Sequence, residues 1–128
     1  MNISGKGYLQ VLYGKFISWA KHGDVIRKHG GSGHEFCESN AVHAAIRAYT
    51  LDYGSDILTA QQKDKIQVYL KEHHSVNIKW VDNWCRKHII ENNRVPLFLL
   101  GVLQRKILKL QMKRRHDRIR REKARRKK

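Results

Sequence analysis

"VPLFLLGVLQRKILKLQM", residues 95–112, decides the fold class. Leu100, Leu103, Ile107 and Leu110 recur at steps of three, four and three, the spacing of one face of an α-helix. Pro96 suits a first helical position, where its missing N–H would lack an intrahelical partner anyway. After Met112 the apolar stripe stops, yet Ala, Arg, Lys and Glu dominate to the C-terminus, and all are good helix formers. The spacing predicts one long helix. Its apolar half is expected to anchor in a core and its basic half to project from it.

Working back towards the N-terminus, the same periodicity recurs. Leu9, Leu12, Phe16, Trp19 and Ala20 step by three and four, and the pattern ends at "KHGD", before a glycine-rich loop "KHGGSG" at 28–33. Ser32 and Glu35 form an S-x-x-E capping pattern, in which each side chain can satisfy an orphan backbone N–H. Ala41, Ala45, Ala48 and Tyr49 carry one face onward, and Gly54 is a natural C-terminal stop. Thr59 and Gln62 repeat the capping signature before a helix with Ile66, Tyr69 and Leu70 on one side. A turn "HSVN" at 74–77 then leads to a stripe of Ile78, Val81, Cys85 and Ile89. The expectation is an all-α protein, a small bundle of about five helices with a long basic C-terminal helix. Residues 1–112 would form the helical body and 113–128 an Arg/Lys-rich helical extension.

Charge narrows the function classes. The formal net charge is +16 over 128 residues; 113–128 carries +9 and the body +7. Such an excess draws a protein to polyanions, of which nucleic acid and an anionic membrane surface are the obvious ones. Two cysteines are too few for a disulfide framework. The N-terminus has no signal-peptide pattern. The longest apolar run, 95–103, is about half of the roughly 20 residues that span a bilayer. A soluble, intracellular protein is expected, cytoplasmic or nucleoid-associated.

The terminal segment is the first candidate site. Arg114, Arg118, Arg121 and Arg125 step by four, three and four, so a helix aligns them in one guanidinium ridge, with Lys113, Arg115, Arg120 and Arg126 around it. The planar guanidinium fork donates paired hydrogen bonds to phosphate. Asp117 with Arg121, Arg118 with Glu122, and Glu122 with Arg126 are spaced to support the helix. The segment resembles the arginine-rich helical motifs that bind RNA hairpins, which implies RNA as the target. The competing interpretation is an unstructured basic tail.

The stretch 77–92 is the second. A helix following a short turn is compatible with a helix-turn-helix, presenting Asn77, Lys79, Asn83, Arg86 and Lys87 to nucleic acid while Ile78, Val81 and Cys85 pack inward. An ordinary helical hairpin is the preferred interpretation. Trp80 and Trp84, one turn apart, could stack on bases, although core packing is expected of at least one.

Three weaker patterns remain. His34 with Cys37 and Cys85 with His88 have ligand spacing on helical faces, so the four together define a candidate structural zinc site. Two buried structural cysteines, with no cofactor, is the preferred alternative. The loop "KHGGSGHE" lies at a helix N-terminus, which can hold a phosphate, but it lacks a P-loop ending and a plain connector is preferred. His73 and His74 beside Glu72 leave room for a small toxin-like ribonuclease using His and Lys.

The composite expectation is a non-enzymatic basic nucleic-acid-binding protein, with RNA favoured over DNA. A small transcription regulator, or an RNA-binding component of a ribonucleoprotein or polymerase complex, fits its size, and a phage or mobile element would suit so compact a chain. The alternatives are the ribonuclease and an adaptor that binds a protein partner or an anionic membrane through the stripe from Leu100 to Met112.

Overall fold

The computed structural model describes residues 5–126. Five helices follow in order: α1 (Gly5–Lys28), α2 (His34–Asp52), α3 (Ala60–Glu72), α4 (Trp80–Glu91) and α5 (Arg94–Arg126), with no strand among the described residues. The all-α bundle with a long C-terminal helix is therefore what the chain adopts.

α2 is the hub. Ala41, Val42, Ala44, Ala45, Ile46, Ala48 and Leu51 are all buried, so this helix is small or apolar on nearly every side. That composition suits a helix surrounded by others, and α2 packs against α1, α3, α4 and α5. Leu9, Leu12 and Phe16 from α1, Ile66 and Leu70 from α3, Cys85 and Ile89 from α4, and Leu97 from α5 complete the core.

Helix ends follow local chemistry, with two departures from the sequence expectation. The Thr59–Gln62 capping box is fully formed: Gln62 N–H donates to Thr59 Oγ1 at 3.1 Å, and Thr59 N–H donates to Gln62 Oε1 at 3.0 Å. Gly54 follows α2 with φ of 89°, a left-handed conformation that suits glycine at a helix end. Ser32, by contrast, does not cap α2. Gly33 takes that place with φ of 107° and no side-chain cap bond. α1 also runs through "KHGD" to Lys28, and Gly23 within that stretch is buried against Cys37 and Glu38 of α2.

Polar groups fasten the corners. The buried Asp52 carboxylate accepts from Ile57 N–H at 2.7 Å and Leu58 N–H at 3.0 Å, shaping the turn from α2 into α3. Arg105 of α5 donates through Nη1 to the carbonyls of Leu51 at 3.2 Å and Tyr53 at 2.5 Å. A cation there pairs the orphan carbonyls at the end of α2 and complements its dipole.

The largest departure concerns α5. Its buried residues are Leu97 and Gly101, while Leu100 is half-buried and Leu103, Ile107 and Leu110 are exposed. Leu100 packs against the core, but the rest of the expected anchoring stripe, Leu103, Ile107 and Leu110, faces away from it. Between Val95 and Leu103 the helix is apolar almost all round. Closeness to α2 selects the side bearing Gly101, where the two backbones can approach.

Candidate nucleic-acid interface

The exposed half of α5 carries the basic ridge. A 33-residue helix is roughly 50 Å long. From Lys113 to Arg126 every residue is exposed, so this stretch stands clear of the body. Arg114, Arg118, Arg121 and Arg125 line one open furrow together with Asp117 and Glu122. Lys113, Arg115, Arg120 and Arg126 are exposed around it. Lys127 and Lys128, the end of the expected extension, lie outside the described residues.

Among the described residues, none of the three expected pairs, Asp117–Arg121, Arg118–Glu122 and Glu122–Arg126, closes into an ion pair. Among the described residues the guanidinium groups are thus uncommitted. Each can turn its fork to an external oxyanion without first breaking an internal bond.

α4 divides its candidates. Lys79, at the N-cap, and Lys87 are exposed. Trp80 is 81 % exposed and Trp84 46 % exposed, so neither belongs to the core, contrary to the expectation for one of them. Trp84 meets the ring of His88 edge-on with centroids 4.3 Å apart, and it borders an apolar groove with Val95, Leu99 and Leu103 of α5.

Arg86 is not a ligand-facing residue. It is 5 % exposed. Nη1 donates to the carbonyls of His73 at 3.0 Å and Val76 at 2.9 Å, and Nη2 donates to Asn83 Oδ1 at 2.8 Å. Burial depresses its pKa below the usual arginine value. The guanidinium ties down the connection from α3 to α4, which spans residues 73–79 and is longer than the four-residue turn expected for a helix-turn-helix. Asn77 lies in that connection, outside α4, and Asn83 is spent partly on Arg86.

The candidate zinc ligands are not assembled. Cys37 and Cys85 are buried free thiols, His34 lies 3.6 Å from Glu38, and His88 Nδ1 is bonded to Asn93 Nδ2 at 2.8 Å. Among the described residues no group of three or more His, Cys, Asp or Glu side chains converges as a metal site would require. Burial pushes the Cys85 thiol up to about 11.

The histidines of the ribonuclease alternative take separate positions. His74 is exposed, with Nδ1 donating to the Lys71 carbonyl at 3.0 Å. His73 stacks on Tyr69 with centroids 3.9 Å apart, and its Nε2 lies 4.0 Å from Glu38. That contact belongs to a network the sequence did not disclose. Arg27 of α1 donates to the buried Glu38 carboxylate through Nε at 2.9 Å and lies 2.7 Å from it through Nη2, with His34 and His73 alongside. Tyr69 contributes a buried hydroxyl whose pKa is raised well above the ordinary tyrosine value, by burial first and by the Glu38 carboxylate second. The Arg27–Glu38 ion pair thus ties α1 to α2 beside the apolar core, with Tyr69 and His73 bringing the end of α3 next to it.

The "KHGGSGHE" loop is an exposed corner between α1 and α2, with Gly30 and Gly33 both at positive φ. Among the described residues no helix is long and apolar enough to cross a membrane. No family model, curated protein or solved structure matches the chain.

Proposed function

We propose that this is a basic nucleic-acid-binding protein that acts by binding rather than by catalysis. The observation that carries the proposal is the ridge of Arg114, Arg118, Arg121 and Arg125, exposed along a projecting helix and free of ion pairs among the described residues. RNA is the favoured target, because a single helix with a guanidinium ridge suits the deep, phosphate-lined groove of an RNA hairpin. The body adds Lys79, Lys87 and Trp80, two phosphate contacts and one stacking face. Arg86 and the zinc set have no part in this function. A transcription regulator or an RNA-binding component of a ribonucleoprotein or polymerase complex, working in the cytoplasm or at the nucleoid, is the role such a module would fill.

The test is direct titration of nuclease-treated protein with a labelled RNA hairpin and with duplex DNA. The intact chain should bind both and prefer the hairpin. Removal of residues 113–128, which takes away no buried residue among those described, should weaken binding at least tenfold while leaving the helical signal of the body. Equal binding by the truncated chain would remove the ridge from the function.

A further inference from the structure

The outward face of α5 carries a second surface that nucleic-acid binding does not use. Val95, Leu99, Leu103, Ile107 and Leu110 are all exposed, between 45 % and 71 %, and Trp84 of α4 flanks the first three. They step by four, four, four and three, so they form one row about 22 Å long. With Trp84 the row presents several hundred Å² of apolar surface, comparable to the largest patch of an ordinary monomer.

We infer that this row pairs with the same row of a second copy, in antiparallel orientation about a two-fold axis near Leu103. Three features select that occupant. The first is area: two such faces together bury roughly 1,200 Å², which reaches the range of specific interfaces. The second is spacing. Val95 lies eight residues before Leu103 and Leu110 seven after it, so reversal of one helix sets Val95 against Leu110 and Leu99 against Ile107. A two-fold interface requires this kind of self-complementarity.

The third is charge. Arg114, Arg118, Arg121 and Arg125 continue the same helical face beyond Leu110, at steps of four, four, three and four. A parallel pair would press each arginine against its own copy along the seam. The antiparallel pair sends the two basic arms out at opposite ends instead. Arg114, eleven residues past the axis, then aligns with position 92 of the second copy. There the exposed Glu91 carboxylate offers negative charge beside the exposed Arg94. The inference stands apart from the nucleic-acid proposal, since it rests on the apolar row and on repulsion between like charges.

Sedimentation velocity on the full chain, nuclease-treated and in high salt to prevent bridging by nucleic acid, reads the mass. A dimer is expected, and the exposed double substitution L99E/L103E should return a monomer with an unchanged helical spectrum. Mild oxidation then reads the orientation. L103C should cross-link to itself and V95C/L110C should cross-link between chains, while L110C alone should not. A monomer at every concentration overturns the inference, whether it stays free or floats with phosphatidylglycerol vesicles. Self-cross-linking of L110C overturns the antiparallel register.

Discussion

Gly101 and Tyr53 hold α5 against the end of α2: a β-carbon placed on Gly101 would stand 2.7 Å from the Tyr53 carbonyl oxygen. Thr50 O would be 3.0 Å away, and the Arg105 guanidinium that pairs the Tyr53 carbonyl lies beside it. Both are backbone oxygens, Thr50 within α2 and Tyr53 at its C-cap, where the Arg105 guanidinium holds the carbonyl, so neither can move aside easily. The expected outcome of G101A is a loss of about 1–3 kcal/mol in a urea melt from overpacking. That loss should appear although alanine is intrinsically better in a helix by about 1 kcal/mol. A raised midpoint would mean that the helices separate freely at this crossing.

Arg86 and Lys87 are neighbours in sequence with opposite roles. R86M leaves the Val76 carbonyl without its donor and the His73 carbonyl with only the Val76 N–H, and should lower stability by about 1–3 kcal/mol. K87A, at an exposed position, should leave the melt unchanged and weaken only binding. Thermal melts of the two variants check this, and equal stability would return Arg86 to the surface.

Cys85 makes stability depend on alkaline pH. Its folded thiol titrates at about 11 against an ordinary 9.0, because burial disfavours the thiolate. Between about 9 and about 11 the unfolded chain loses this proton first, so the Cys85 contribution is intact below that window and falls as pH rises through it. The stability gap between the native chain and C85A should therefore narrow across the window by about 2 kcal/mol. Denaturant melts at the two ends measure it, and a constant gap would show that the buried thiol does not titrate late.

The capping box at Thr59, the stop at Gly54 and the apolar face of α3 were legible because each depends on residues close in sequence. The orientation of α5 was not. Leu97 to Leu100 is a continuous apolar run, and a periodicity argument that starts at Leu100 finds a stripe in steps of three and four whichever side is buried. Gly101 was the available signal, since a glycine in the middle of a helix often marks close approach. Arg86 misled for a different reason: a charged residue on a helix is usually solvated, and only the fold shows the three acceptors that surround it. The Glu38 network joins residues 27, 34, 38 and 73, and no local pattern links them.

The central claim, that the arginine ridge of α5 meets phosphate, is tested most directly by the salt dependence of binding. The full chain and its variant with Arg114, Arg118, Arg121 and Arg125 all changed to Gln would be titrated with the same duplex DNA over a range of salt concentrations. Helicity should be retained, because glutamine is also a good helix former. Each phosphate contact on a duplex contributes about 0.9 to the slope of log K against log salt. The account predicts that the variant binds more weakly and that its slope is shallower by about 2–4, the loss of most of four contacts. An unchanged slope with unchanged affinity would contradict it and leave the arginine ridge without a role in binding nucleic acid.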